Sequence, residues 1–494
     1  MIGSASLGAV EPHAAAADAS ILRRLFPTAL GLLFGAYTAF DIRTLNDGDT
    51  FSHVRTGLWI LQHQSVPQTD IFSNSVRGAP WTAHEWLSEV LLSIAFNSGG
   101  WAGVLALTGI CAGAAAYLLS RTVSRALDGL AMVAISVLGA ACFESGLLAR
   151  PHVLALPILV AWTAHLLDAR HRVRAPSLPY VGALMLLWAN LHGGWAFGLA
   201  LLGLLTAERI CLAPGGARAR VQSSSGWIAA LAVAAAAAIA TPNGLEGLLF
   251  PLKLSLQSNI SQISEWQSAD FSHIGLLEII LLALFGMGLT GRWTFDGLTV
   301  LIMCVLIHLA LQHQRHLILL GSVGAILLAY ALGPSTAETP PPGPASPDGR
   351  RLQRRIAAFG LVTAALATAA RLAAPVSLAD SRVAAPTALQ HAPPAVRALR
   401  VFNSYEFGGF LIFEGVPPFI DGRADMFGRA FMDDYVAALG AQSGRFNDYA
   451  ARHHIGWTLL RPSEPLVRVL DRDPAWRRIY ADSFAVIHKR APGR

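Results

Sequence analysis

The sequence predicts an all-α polytopic membrane protein with about eleven transmembrane helices, followed by a small α/β domain outside the cytoplasm. Hydrophobic residues make up 53% of its 494 residues and charged residues only 14%. The mean hydropathy of +0.47 excludes an ordinary soluble protein. The pI near 9.4 reflects arginines placed between apolar runs, which the positive-inside rule explains better than nucleic-acid binding does.

Eleven apolar runs are predicted to cross the membrane. They lie at residues 26–41, 101–120, 128–147, 152–168, 178–191, 194–211, 225–241, 273–290, 295–311, 316–333 and 355–374. Loops after even-numbered crossings carry arginine, as in "SRTVSRALDG", whereas loops after odd-numbered crossings carry polar clusters such as "ARPH" and "NLHGG". This asymmetry predicts a cytoplasmic N-terminus and a C-terminus on the opposite side of the membrane. The four cysteines lie within the apolar runs and have neither disulfide nor metal-site spacing.

The predicted domains follow the crossings. They are an N-terminal cytoplasmic tail (1–25), a transmembrane domain (26–333) with a long outer loop (42–100), a Pro-rich cytoplasmic linker (334–354), a last transmembrane helix (355–374) and a periplasmic α/β domain (375–494). In the periplasmic domain, "ALRVFNSY", "GGFLIFE", "PPFIDGR", "GWTLLRP" and "FAVIHKR" have strand character, and "MDDYVAALGAQ" is typical of a helix.

The outer loop is predicted to carry two surface helices, and loops of this length usually carry function. In the first helix, Phe51, Val54, Leu58 and Leu61 recur at helical spacing. We expect this helix to lie on the outer leaflet with its polar face toward a cavity. Asp49 and His53 are four residues apart, so both side chains can reach one pocket. The second helix follows "HEWL", which begins at His84.

This layout resembles the GT-C glycosyltransferases, and especially the branch of protein mannosyltransferases and the aminoarabinose transferase of lipid A. In that branch "DExxY" opens the outer loop, "KPPL" begins the second surface helix and "LFG" ends it. The corresponding stretches here are "DTFSH" from Asp49, "HEWL" from His84 and "NSGGW". His84 stands in place of the lysine, Glu85 in place of a proline and His53 in place of the tyrosine. The chain also resembles uncharacterised bacterial membrane proteins that share "RPH", "NLHGG" and "VFNSYxxGG…FIDGRAD".

The resemblance implies a GT-C-like fold, a polyprenyl-phosphate sugar as donor and Asp49 in the catalytic acidic position. Such a donor brings its own leaving group, so the reaction needs one general base and cations for the departing phosphate. We predict Asp49 as the base, with helix N-capping as the alternative interpretation. Asp47 and Asp49 together have a DxD-like spacing, which suggests a divalent metal ion or a solvated turn.

Polar residues at the outer ends of the spans are predicted to line one cavity, because ionisable groups at membrane depth are costly. The predicted ligands of the donor phosphate are Arg315, Arg150, His84 and His316. The other predicted cavity residues are Asp47, His53, Glu85, His152, Asn190, His192 and Glu265. Interfacial snorkelling is the alternative for any single arginine among them. Trp266 and Asp270 lie in the same polar loop as Glu265, where Trp266 is more typical of an interface anchor.

Two residues of "FIDGRAD", Asp421 and Arg423, form an acid–base pair that is more typical of a structural contact than of catalysis. The outer domain is predicted to be an acceptor-side lid or a partner-docking module.

The predicted function is an inverting glycosyltransferase that moves a sugar from a polyprenyl-phosphate donor to a lipid, glycan or protein acceptor of the cell envelope. Its predicted partners include membrane lipids and no nucleic acid. Two alternatives stay open: a transporter or flippase of lipid-linked glycans, and a non-catalytic GT-C relative that acts as an assembly partner.

Overall fold

The computed structural model of the chain describes residues 12–255, 268–291, 295–333, 347–441 and 446–491. The membrane part is built from helices: α1 (Pro12–Phe40), α2 (Gly48–His63), α3 (Trp86–Ala126), α4 (Gly129–Ala141), α5 (Pro151–His171), α6 (Leu178–Leu191), α7 (Trp195–Leu212), α8 (Ala217–Ser223), α9 (Ser225–Ile239), α10 (Gly244–Ser255), α11 (Leu276–Leu289), α12 (Gly297–Gln312), α13 (Gln314–Leu332) and α14 (Pro347–Ala373). Helix α13 contains a π-helical turn at Leu320–Gly324.

Each of the eleven predicted crossings coincides with one of these helices. Six helices in the described ranges are long and apolar enough to cross a membrane, and a seventh span is formed if the bent pair α8–α9 counts as one. Helices α6, α11 and α12 are apolar but shorter. The chain is therefore a multi-pass membrane protein, and the number eleven stays a prediction.

Helix α3 is broken where the sequence predicted the end of a surface helix and the start of a span. Gly99 and Gly100 have non-helical backbone angles, and Gly100 has φ 59° and ψ −146°. A residue with a side chain rarely adopts that conformation. The outer loop and the second span are thus joined through a glycine hinge.

Helices α1 and α3 are packed together through glycines spaced four residues apart on both helices. A Cβ atom on Gly109 would lie 2.6 Å from the carbonyl oxygen of Gly35, and one on Gly113 would lie 2.6 Å from that of Gly31. Small residues at such spacing let two helix backbones approach closely within a membrane. This contact fixes the position of α1, which leads directly into the outer loop.

The helix of the last predicted crossing begins before the predicted end of the Pro-rich linker. Helix α14 begins at Pro347, so residues 347–354 of the predicted linker are helical. The run "DGRRLQRR" contains strong helix-forming residues, which extend the helix before the apolar run begins. Residues 334–346 lie outside the described residues.

The C-terminal domain, predicted at residues 375–494 and called the outer domain here, contains four strands. They are β1 (Arg400–Asn403), β2 (Ile455–Leu460), β3 (Trp476–Ala481) and β4 (Val486–Arg490), arranged in the order β1-β2-β4-β3. Strands β1 and β2 are parallel, and the other two pairs are antiparallel. Its helices are α15 (Pro386–His391), α16 (Pro394–Arg397), α17 (Gly408–Phe413), α18 (Ala424–Phe427), α19 (Arg429–Leu439), α20 (Phe446–Arg452) and α21 (Pro465–Leu470). The predicted α/β character and the helix at "MDDYVAALGAQ" agree with these elements.

Two predictions for individual elements of the outer domain were wrong, and one strand was missed. "GGFLIFE" forms helix α17 and "PPFIDGR" forms no strand. A short apolar run does not distinguish a strand from a buried helix, and α17 is buried from Gly408 to Ile412. Strand β3 was not predicted, because half of its residues are exposed and Trp476 is its one buried residue.

Part of the apolar stripe of α2, which the sequence predicted to face the outer leaflet, packs on protein. Phe51 is only 1% exposed and Val54 is fully buried. The ring of Phe51 packs edge-on against Trp101 of α3 and Phe410 of α17, at centroid distances of 5.1 and 6.0 Å. The apolar stripe of an amphipathic helix is buried against an apolar surface, and for Phe51 that surface is formed by α3 and the outer domain.

Candidate active site

The first turn of α2 places Asp47 and Asp49 in different roles. The side chain of Asp47 accepts a hydrogen bond from the backbone N–H of Asp49 at 3.4 Å, and Asp47 has the extended backbone of an N-cap residue. The alternative interpretation of Asp49 as the cap was therefore wrong. Asp49 lies inside the helix, and its side chain is 26% exposed.

Arg150 joins the two carboxylates. It is the last residue before α5, and Pro151 holds the first position of that helix. Its Nη2 atom donates to Oδ1 of Asp47 and to Oδ2 of Asp49, both at 2.6 Å, and its Nε atom donates to Oδ2 of Asp47. Burial raises the pKa of Asp47, but the charge and hydrogen bonds of Arg150 outweigh it, so the pKa is lowered. Asp47 is thus an ionised anchor for Arg150.

The predicted divalent cation does not fit this arrangement. The guanidinium of Arg150 is hydrogen-bonded to both carboxylates and compensates one of their two negative charges. In the described ranges, no group of three or more His, Cys, Asp or Glu side chains is arranged to hold a metal ion. The Asp47–Asp49 pair is therefore a guanidinium site, and the metal stays a prediction without structural support.

Glu85 lies at the centre of three imidazoles that come from separate parts of the chain. Its carboxylate oxygens are 3.8 Å from Nε2 of His53, 3.7 Å from Nε2 of His84 and 3.5 Å from Nε2 of His192. Glu85 is the residue before the first turn of α3, and its side chain makes no capping hydrogen bond there. The carboxylate is thus directed to the imidazoles instead of to its own helix.

The hydrogen bonds of His192 determine its tautomer. Its Nδ1 atom accepts a hydrogen bond from the backbone N–H of Gly194 at 3.0 Å. Nδ1 is therefore unprotonated, and Nε2 carries the hydrogen that points to Glu85. Burial lowers the pKa of His192 to about 4, and the charge of Arg315 adds to this against the opposing effect of Glu85. At neutral pH His192 is a neutral donor.

His53 is the cationic member of the cluster. Its Nδ1 atom lies 3.2 Å from Oε1 of Glu89. Burial opposes the charged imidazole, but the hydrogen bond to Glu89 and the charges of Glu85, Glu89 and Asp49 raise the pKa of His53 to about 9. Burial alone would raise the pKa of Glu85, but the charges of the surrounding histidines outweigh burial and lower this pKa to about 2. Glu85 and His53 are therefore oppositely charged at neutral pH.

Glu89 was missed by the sequence analysis. It lies four residues after Glu85 on α3, a spacing that places both side chains on one helix face and could have revealed it. Its Oε2 atom is buried without a hydrogen-bond partner.

The outer domain contacts Asp49 directly. A Cβ atom on Gly422 would lie 2.6 Å from Cγ of Asp49 and would overlap its Oδ1 atom. A Cβ on Gly409 would overlap the carbonyl oxygen of Gly48. The backbone of the outer domain thus lies against the first turn of α2. The sequence could not predict this contact, because the residues that form it are far apart in the chain.

Arg423 attaches this part of the outer domain to the outer loop. Its Nη2 atom lies 2.7 Å from Oδ2 of Asp421 and 2.8 Å from Oδ1 of Asp70, and both carboxylates are fully buried. The guanidinium also lies over the rings of Trp81 and Phe72, at 4.6 and 5.3 Å from their centroids. The predicted structural pairing of Asp421 and Arg423 is present, and Asp70 extends it across two domains.

Asp425, which also belongs to "FIDGRAD", reaches the His84 side of the site. Burial raises the pKa of Asp425, and the charge of His84 opposes this shift, so the two groups lie within electrostatic range. The ring of His84 packs on Phe250 with the centroids 4.2 Å apart. A small cavity beside it is lined by His84, Gly193, Trp195, Thr241, Asn243 and Phe250, among others.

Comparisons with known proteins identify the fold. No family model and no curated protein matches the chain. The solved structure of the archaeal oligosaccharyltransferase AglB from Archaeoglobus fulgidus, in complex with an inhibitory peptide and a dolichol-phosphate, superposes with a TM-score of 0.54 at 12% identity, covering 90% of this chain and 70% of that one. The apo form of the Archaeoglobus fulgidus oligosaccharyltransferase gives 0.51 at 13% identity, with 89% and 69% covered.

The chain has the GT-C fold. ArnT from Cupriavidus metallidurans, bound to undecaprenyl phosphate, gives a TM-score of 0.47 at 12% identity, covering 94% of this chain and 98% of that one. That score does not decide between branches of the GT-C fold. The AglB structures confirm the predicted GT-C-like fold, and the activity of the chain is a matter for proposal.

The remaining predicted site residues of the GT-C chain differ in their positions. Arg315 acts electrostatically on His192 and so lies near the histidine cluster. The ring of His152 lies 6.1 Å from that of His192, and its Nε2 atom is 2.6 Å from the carbonyl oxygen of Gly146. His316 lies at the start of α13, with Nδ1 3.3 Å from the carbonyl oxygen of Leu309.

Asn190 makes packing contacts, and its predicted place in the polar cavity stays a prediction. Its Oδ1 atom accepts from the indole N–H of Trp86 at 2.8 Å, and its amide nitrogen donates to the carbonyl oxygens of Leu186 and Ala240. These bonds join α3, α6 and the end of α9.

The predicted residues Glu265 and Trp266 lie outside the described residues, and Asp270 is exposed.

Proposed function

We propose that this GT-C protein is an inverting glycosyltransferase that moves a sugar from a polyprenyl-phosphate donor to an acceptor hydroxyl or amide. The observation that carries the proposal is the position of Asp49, a partly exposed carboxylate that does not cap its helix and is held by Arg150. The GT-C-like fold supports it, and AglB has been solved in complex with a dolichol-phosphate.

In the proposed reaction, Asp49 acts as the general base. It takes the proton from the acceptor while the acceptor atom attacks the anomeric carbon of the donor sugar. The bond from that carbon to the phosphate oxygen breaks, and its electron pair leaves with the phosphate on the lipid. One attack from the opposite face inverts the anomeric centre. A phosphate ester is a good leaving group, so one base and a cationic environment are sufficient.

The roles of the cationic residues follow from their contacts. Arg150 is bound to two carboxylates, so we assign it to the orientation of Asp49 instead of the predicted contact with the donor phosphate. Arg315 and His84 are the proposed phosphate ligands, since a guanidinium suits phosphate oxygens. His316 stays a weaker candidate, because its Nδ1 atom faces the carbonyl oxygen of Leu309.

The proposed location of the reaction is the periplasmic face of the bacterial inner membrane. The positive-inside pattern of the loops supports this orientation. The acceptor is proposed to be a lipid, glycan or protein of the cell envelope, reached from the aqueous side of Asp49.

The test is turnover of a panel of polyprenyl-phosphate sugars by the purified full-length protein in lipid nanodiscs. The expected result is equimolar formation of free polyprenyl phosphate and glycosylated acceptor, with the inverted anomer detected by NMR. The proposal fails if no donor is consumed under conditions that give a monodisperse, folded protein. Passage of the intact lipid-linked sugar across proteoliposomes without cleavage would instead identify a flippase.

A further inference from the structure

We propose that the outer domain positions the catalytic carboxylate, and that Gly422 is the residue through which it does so. This inference rests on the proposed function of Asp49 and assigns a residue of a different domain to that function. The two carboxylate oxygens of Asp49 have different neighbours. Oδ2 accepts a hydrogen bond from Arg150 at 2.6 Å, whereas Oδ1 lies where a Cβ atom on Gly422 would be.

The position of Gly422 is fixed from several directions within the outer domain. Asn403, at the end of β1, donates to the carbonyl oxygen of Ile420 at 2.9 Å and accepts from the backbone N–H of Phe419 at 2.8 Å. The hydroxyl of Tyr405 donates to the carbonyl oxygen of Gly422 at 3.2 Å. These bonds hold residues 419–422 in one conformation, since a buried segment whose polar groups are satisfied is rigid.

Two further glycines bring this segment up to α2. A Cβ on Gly408 would lie 2.5 Å from Cα of Asp421, and a Cβ on Gly48 would lie 2.7 Å from the carbonyl oxygen of Glu406. A domain that only covered the outer loop would not need its backbone to contact the first turn of α2, which carries Asp49. The glycines of "VFNSYEFGG" and "FIDGRAD" therefore have one joint effect, which is to place Gly422 against Asp49.

The outer loop holds the other side of the segment. Asp70 binds Arg423, the residue directly after Gly422. Asn74 donates from its amide nitrogen to the carbonyl oxygens of Val401 and Pro417, at 3.2 and 2.8 Å. The Asp49 carboxylate thus lies between Arg150 on the membrane domain and Gly422 on the outer domain. General-base catalysis depends on such orientation, since a displacement of about 1 Å reduces rates by about 10²-fold.

The variant Gly422→Ala tests the inference in the full-length protein. The added methyl group must displace the Asp49 carboxylate from Arg150. We expect kcat for transfer to fall about 10²-fold, with KM for the donor and binding of undecaprenyl phosphate alone within about twofold of wild type. The matched control is Gly203→Ala in α7, where a Cβ would meet nothing within 4 Å, and its kcat should equal that of wild type.

A second variant, Tyr405→Phe, removes the hydrogen bond to the carbonyl oxygen of Gly422 without adding an atom, so it keeps the test valid if the first destabilises the protein, and the Tm of both is measured. A wild-type kcat in Gly422→Ala would overturn the inference and leave the proposed function intact. Equal losses of kcat, lipid binding and Tm in both variants would also overturn it, because they would indicate a merely structural glycine. Wild-type protein that turns over no donor would reject the proposed function and this inference with it.

Discussion

Arg150 donates from its Nη2 atom to the carboxylates of both Asp47 and Asp49, at 2.6 Å in each case. The guanidinium thereby links the N-cap of α2 to the residue proposed as the base. Arginine presents several N–H donors in a fixed plane, which lets one side chain hold two carboxylates at once. The orientation of Asp49 consequently depends on α5 as much as on its own helix.

Replacement of Arg150 by lysine should uncouple the two carboxylates. A single ammonium group cannot reproduce the planar set of hydrogen bonds, so we expect kcat to fall about 10- to 100-fold while the protein stays folded. The measurement is steady-state transfer from the donor identified for the wild type. Arg172→Lys is the matched control, since Arg172 is at the other end of α5 and pairs with Asp168 at the surface. Equal activity of Arg150→Lys and wild type would exclude the orienting role.

His53 should make the stability of the protein depend on pH. Its pKa of about 9 lies above the unfolded value of 6.5, so its charged state stabilises the fold fully below pH 6.5. This contribution, at most about 3 kcal/mol, is lost as the pH rises through 9. The Tm difference between wild type and His53→Gln should therefore shrink from pH 6 to pH 9.5. His63→Gln, at the exposed end of the same helix, should show no such trend, and a constant difference for His53→Gln would contradict the assigned charge state.

Asp70→Asn should weaken the attachment of the outer domain. Asp70 and Asp421 are buried around Arg423, and removing one member of a buried ionic group costs about 3–5 kcal/mol. We expect a lower Tm and faster proteolysis between the last transmembrane helix and the outer domain. Asp433→Asn is the control, because Asp433 pairs with Arg429 at the surface. Unchanged proteolysis in Asp70→Asn would show that Arg423 is not what attaches the domain.

Single cysteines should determine the topology. Gln62, near the end of α2, and Ser177, before α6, are both exposed and are predicted to lie on opposite sides of the membrane. In a background without Cys211 and Cys304, which are also exposed, a membrane-impermeant maleimide should label Gln62→Cys in intact spheroplasts and Ser177→Cys only after lysis. Labelling of both before lysis would overturn the predicted threading.

The parts of this fold that the sequence predicts are those governed by local patterns. The crossings were predicted from apolar runs of spanning length, and each of them coincides with a helix. The break in α3 lies at the glycine pair Gly99–Gly100. Helical spacing also placed Asp49 and His53 on one side of α2. The short run "GGFLIFE" carries no such period, so its helix was predicted as a strand.

The contacts of the site were less predictable, because they join distant parts of the chain. Glu85 meets His53 of α2 and His192 of the α6–α7 loop. The sequence predicted that all three line one cavity, but their spacing did not indicate which of them are in contact. The same holds for Gly422, whose role against Asp49 depends on the absence of a side chain. A histidine or glycine reveals such a role only when its neighbours in space are known.

The most direct test of the account is the turnover of Asp49→Asn beside that of Asp41→Asn. Both substitutions remove one carboxylate near the start of the outer loop, but Asp41 caps the short helix Ile42–Leu45 and pairs with Arg43 at the surface. We predict that Asp49→Asn lowers kcat by about 10²- to 10⁴-fold, with undecaprenyl phosphate binding retained, and that Asp41→Asn matches wild type. Wild-type turnover by Asp49→Asn would contradict the assignment of Asp49 as the base.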